Sequence, residues 1–118
     1  MSKLRWIALF AALLSTEAHA ATETQYFKRG CKDFAAGRMT LDALHCVAIV
    51  EAVTEVVAIL QSGAEDKGIC IPRSKGSFLT GDYVRLIAGH PELVQDDQPA
   101  AVGIMKVLIK SFPCEARQ

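Results

Sequence analysis

Four cysteines, Cys31, Cys46, Cys70 and Cys114, are the residues of this chain with the widest chemical repertoire. They could hold a metal, carry a redox thiol or close disulfides. Zinc sites usually pair their cysteines across about two to four intervening residues, and no C-x-x-C pair occurs here. Only His45 and His90 could complete such a site, and they lie far apart in the chain. Glu51 and Glu55 stand at i, i+4 and so share one helix face, as an acid/base pair or half a metal site would. On an otherwise apolar segment they read more simply as a solvated stripe. Lys75-Gly76-Ser77 contains the residue types of a phosphate loop, but in the wrong order and without its upstream glycine. His45 reads as a packed or half-exposed side chain beside Cys46, and His90, just before Pro91, reads as a cap at a helix junction. No serine has a base nearby in sequence. The expectation is a binding protein with no catalytic residue, metal or cofactor.

The N-terminus sets the redox setting of the cysteines. Lys3 and Arg5 precede an apolar run from Trp6 to Leu14, and Ala18-His19-Ala20 offers small residues where a signal peptidase reads. The run is about half the roughly 20 residues that a spanning helix needs. Residues 1–20 are therefore expected to be a signal peptide cleaved after Ala20, with residues 21–118 as the exported domain. Removing 20 residues from 118 leaves 98. Glu51 and Glu55 interrupt the only other long apolar candidate, so no membrane association is expected after cleavage. In a small exported domain, an even cysteine count reads as two disulfides with three connectivities to choose from.

Helices must position these residues. Tyr26, Phe27, Cys31, Phe34 and Ala35 recur at helical spacing, and Gly37 can end that helix in the left-handed conformation. Thr40 is a good N-cap for Leu41–Ser62, with Asp42 at the positive helix end. That segment is rich in β-branched residues, yet about 22 residues is too long for a strand. Its polar positions Glu51, Thr54, Glu55 and Ser62 form only a narrow stripe, which predicts a helix buried on most sides and closed by Gly63. Thr80 is expected to cap a third helix, with Leu79 and Val84 as a hydrophobic staple. Tyr83, Val84, Leu86 and Ile87 would form its apolar face, and Gly89 its end. Pro91 can begin a short turn, and Pro99 suits the first position of the last helix. There Ala101, Ile104, Met105, Leu108 and Phe112 would face inward, and Lys106 and Lys110 outward. The fold class is all-α, a single compact domain of four main helices stapled by two disulfides.

Helix placement favours one pairing. Cys31 and Cys46 lie level across a hairpin turning near Met39, and Cys70 follows the central helix while Cys114 ends the last one. Cys31–Cys46 and Cys70–Cys114 are thus expected, closing loops of 15 and 44 residues. The chain-entropy model assigns these roughly 3 and 4 kcal/mol.

Composition removes other classes. Thirteen basic residues balance thirteen acidic ones, whereas a nucleic-acid binder needs a basic excess. Without Lys3, Arg5 and Glu17 the balance is 11 to 12. The 51% hydrophobic content argues against disorder.

The order Cys46…Gly68-Ile69-Cys70-Ile71-Pro72…Gly81-Asp82-Tyr83-Val84…His90-Pro91-Glu92-Leu93…Phe112-Pro113-Cys114 resembles the Rap/Tai family. These are periplasmic immunity proteins that neutralise peptidoglycan amidase effectors of type VI secretion. The resemblance covers roughly residues 31–114. It implies a non-catalytic helical protein, often a homodimer, that blocks the groove of a secreted peptidoglycan amidase effector. One departure is that Ala48 and Val50 stand where the family's glycines permit close helix approach. The loop Arg73–Phe78 is the expected partner-binding segment, through Arg73, Ser74, Lys75 and Phe78, because it is basic, aperiodic and anchored by Cys70 and Pro72. Connecting loops on rigid scaffolds often carry binding, and Arg and aromatic residues dominate hot spots. The alternative is a small disulfide-bonded periplasmic helical protein of stress-chaperone type with no cognate toxin.

Overall fold

Gly37, at φ +78°, turns the chain between the first two helices, as its freedom from a Cβ allows. The computed structural model describes residues 22–62, 68–71 and 79–114. Residues 22–35 form α1. Its end is closed by Gly37 N–H donating to the Phe34 carbonyl at 2.9 Å and Arg38 N–H to the Asp33 carbonyl at 2.8 Å. Thr40 then opens α2 (Leu41–Ser62), its Oγ1 accepting from Ala43 N–H at 3.1 Å, as predicted. After the short stretch 68–71 come α3 (Thr80–Ala88), a single 3-10 turn at Pro91–Leu93, and α4 (Ala100–Ser111). The described residues contain four α-helices and no strand, so the all-α class with its four main helices holds. Both predicted disulfides form, Cys31–Cys46 and Cys70–Cys114. Two disulfides in a domain this small are consistent with an oxidising, extracellular or periplasmic environment. The proposed signal peptide lies outside the described residues.

The core sits between α1, the inner side of α2, α3 and α4. Phe27, Cys31, Cys46, Val50, Val84, Val94, Ile104, Val107 and Leu108 are its most deeply buried members. Two glycines set the closest approaches. A Cβ on Gly30 would collide with the Asp42 carbonyl, so α1 crosses α2 backbone to backbone beside the first disulfide. A Cβ on Gly103 would lie 2.8 Å from Val94 Cα, so α4 lets the chain after the 3-10 turn press against it. Thr24 is buried at the start of α1 and donates through Oγ1 to the Gln98 carbonyl at 2.6 Å. Tyr83 meets Phe112 edge to face, with centroids 6.4 Å apart, and burial pushes its phenol up.

Several local expectations are corrected. Thr80 is the first residue of α3, not its cap. Leu79 holds the N-cap position, and its N–H is bound by the Asp82 carboxylate at 3.0 Å. Leu79 is 71% exposed and makes no staple. Pro99 occupies the N-cap of α4, one residue before the helix. Ala101 faces solvent, while Gly103 and Val107 are buried between Ile104 and Leu108. His90 does hold a cap position, but its Nδ1 lies 3.2 Å from Glu92 Oε1 and caps no backbone group by its side chain.

The largest correction concerns α2. Its apolar circumference predicts burial on most sides, yet Leu41 is 84% and Ile59 70% exposed, and Leu44, Val56 and Leu60 are exposed too. By length and composition alone, Leu41–Leu60 would suffice to cross a membrane, despite Glu51 and Glu55. Within the domain its inner side carries Ala43, Cys46, Val50 and Val57, all buried. The other helices lie on that side alone.

Candidate functional site

Three features of the surface could serve a partner, and each is built by a different part of the sequence. The first is a latch. Ile69 and Pro113 form an isolated antiparallel bridge, and Cys70 N–H donates to the Phe112 carbonyl at 2.9 Å. The Cys70–Cys114 disulfide closes it. The segments G-I-C-I and F-P-C, 44 residues apart at their cysteines, therefore meet as one short two-stranded clasp. Ile69 is buried beneath it, and Gly68, at φ +84°, bends the chain into it.

The second is a cleft of about 460 Å³ between α1 and the α3–Pro91 corner. Phe27, Ile87, Ala88, Pro91 and Val94 line it with apolar surface, and the Cys31–Cys46 disulfide contributes Cys31. Lys28, Arg29 and Lys32 add three basic side chains from one helix. Lys28 pairs with Asp96 at 3.3 Å, and Arg29 stacks over the Tyr26 ring at 5.4 Å. This lining offers apolar contact and positive charge, suited to an apolar anchor beside a carboxylate. The turn joining α1 and α2 is held by polar contacts of its own. Asp33 accepts hydrogen bonds from the Arg38 guanidinium at 2.9 Å and from Thr40 Oγ1 at 3.0 Å. These bonds hold its carboxyl below the usual carboxylate range, Arg38 being the larger cause.

The third is the outer face of α2. Leu41, Leu44, His45, Ala48, Ala52, Glu55, Val56 and Ile59 are all exposed along it. Glu51 and Glu55 share that side, as their spacing predicts, and no group of metal-ligating side chains occurs among the described residues.

The predicted partner-binding residues Arg73, Ser74, Lys75 and Phe78 lie outside the described residues, as does Pro72. The latch fixes the chain at Cys70, just before that segment, and α3 follows it at Thr80. Sequence reasoning missed the basic cluster of the cleft. Its signal was present as Lys28, Arg29 and Lys32, spaced to share one side of a helix, but the apolar positions alone define α1 by periodicity. It also missed the breadth of the α2 face, where alanines pass for core.

No family model, curated protein or solved structure matches the chain.

Proposed function

We infer that this chain is a periplasmic immunity protein that binds and inhibits a peptidoglycan amidase effector of type VI secretion. The observation that carries the reading is the latch. Cys70 of the C-I-P step and the F-P-C end, which carry part of the resemblance to Rap/Tai proteins, meet in space shortly before the basic segment 73–78 begins in the chain. A loop held at its base loses less conformational freedom on binding, so more of its contact energy appears as affinity. The basic, apolar-lined cleft is a second place where an anchor of the effector can seat.

The test is direct. The oxidised protein is mixed with an exported peptidoglycan amidase encoded beside it, and release of peptidoglycan fragments is followed. One-to-one addition should abolish hydrolysis. Full activity at a large excess of this protein would reject the reading. Within a complex, Arg73→Ala should weaken binding by more than ~1 kcal/mol with thermal stability nearly unchanged. Calorimetry showing unchanged affinity for both Arg73→Ala and Lys75→Ala removes that loop from the interface.

A second reading, the stress chaperone, draws on the exposed apolar side of α2. It predicts that the protein suppresses aggregation of unrelated unfolded clients in acid, which an immunity protein need not do.

A further inference from the structure

We propose that the cleft between α1 and the α3–Pro91 corner binds a medium-chain fatty acid, with its carboxylate on Lys32 and its alkyl chain between Phe27, Ala88 and Pro91. The sequence of α1 builds both halves of such a site. Phe27 and Cys31 stand at i, i+4, and Lys28 and Lys32 repeat that spacing one residue further on. An apolar stripe and a basic stripe therefore run side by side along one helix. Phe27, Ile87 and Val94 are buried and form the floor of the cleft. Ala88 and Pro91, both partly open to water, form the wall facing the lysines. The floor is preformed, because Cys31 is tied to Cys46 and Val94 is pressed against Gly103 of α4. The volume of about 460 Å³ falls within the ~300–1,000 Å³ typical of small-molecule sites.

Charge sets the headgroup. Lys28 is held by Asp96 at 3.3 Å, and Arg29 lies over the Tyr26 ring with Asp42 at 4.0 Å. Lys32 is exposed and forms no ion pair among the described residues. One cation is left over, which matches a single carboxylate and not a doubly charged phosphate. The lining sets the rest of the ligand. What the cleft exposes is mostly apolar, and the lysine stems extend it below their ammonium groups. A peptide seated there would take its amide groups out of water without gaining partners, whereas an alkyl chain has none to satisfy. No effector is needed for any of this, so failure of the site and failure of the immunity reading are separate outcomes.

Titration of the oxidised protein with hexanoate, octanoate and decanoate, followed by its amide resonances, reads both affinity and place. The expected result is one site per chain, with shifts confined to α1 and the α3–Pro91 corner. Affinity should rise about twofold per added methylene, less than for full burial because the cleft is open on one side. Lys32→Glu should weaken decanoate about fivefold or more, with an unchanged melting temperature, and Lys32→Arg should keep it within about twofold. Asp96→Asn frees Lys28 and should tighten binding, a gain that a merely structural role would not produce. Ala88→Leu adds bulk to the cleft wall and should abolish binding. Absence of shifts up to millimolar decanoate, affinity flat across the series, or decanoate binding unmoved by Lys32→Glu overturns the proposal. Shifts on the outer face of α2 instead of the cleft do so as well, as does a peptide ending in a free C-terminal phenylalanine that binds more tightly than decanoate.

Discussion

The two disulfides do different work. Cys31–Cys46 joins two helices that already touch, where Gly30 brings the α1 backbone against Asp42, and both sulfurs are almost fully buried. Cys70–Cys114 joins two short extended segments that meet through one bridge and a backbone hydrogen bond. The first reinforces helix packing, and the second stands in for it. Loop length and burial therefore rank them in opposite orders. The longer loop makes Cys70–Cys114 the larger constraint on the unfolded chain, and the deeper burial makes Cys31–Cys46 the harder to reach.

The largest expected effect breaks the second bond. Cys70→Ala with Cys114→Ala should lower unfolding free energy by about 4 kcal/mol, against about 3 for Cys31→Ala with Cys46→Ala, in urea titrations. If packing at Gly30 holds the hairpin unaided, the second figure falls further. Equal losses would erase the distinction. Access can be read on the unmodified protein. Mild reductant followed by thiol labelling and mass mapping should open Cys70–Cys114 first, because Cys114 is only half-buried; labelling of Cys31 first would reverse the ranking.

Gly30→Ala comes next. The added methyl meets the Asp42 carbonyl and must push α1 off α2, at a cost of about 2 kcal/mol. With the disulfide intact the helices cannot separate far, so calorimetric melting should show a loss without loss of helix content. A neutral result would mean that the hairpin is held by the sulfurs and not by the backbone crossing.

The smallest effect concerns the turn inside the first loop. Because Asp33 titrates below its ordinary value of 3.8, its stabilisation is present above that value and is lost as pH falls through the lower, folded-state pKa. Asp33→Asn should lower the melting temperature slightly at neutral pH and flatten its decline in acid. A variant with the wild-type acid profile would show that the Arg38 and Thr40 contacts add nothing to the hairpin.

The fold was largely legible because local rules decide it. Gly37, Thr40 and Pro91 each act through their own backbone or nearest neighbours, and helix spacing brought Cys31 level with Cys46. What escaped depends on the number of neighbours a helix finds. An all-round apolar α2 predicts all-round burial, but three partner helices cover only one side, and no local signal states how many will arrive. The Leu79 cap escaped for a related reason: the Asp82 carboxylate reached back to its N–H, so a residue with no capping side chain took the position. For the site, the latch was readable as paired cysteines, while the cleft required knowing which face of α1 meets α3.

The order of the bonds along the chain bears on how the protein is made. First pairs with second, and third with fourth, so neither link encloses or crosses the other. If the chain is exported as proposed, threading amino end first through a translocon presents Cys31 and Cys46 before Cys70 appears. An oxidase that joins each thiol to the next one to emerge would write the native pattern in a single pass. Chain oxidised as it emerges should then carry both links with no shuffling enzyme, whereas the complete reduced chain, with all four thiols present at once, should also yield mispaired species, as mass mapping would show.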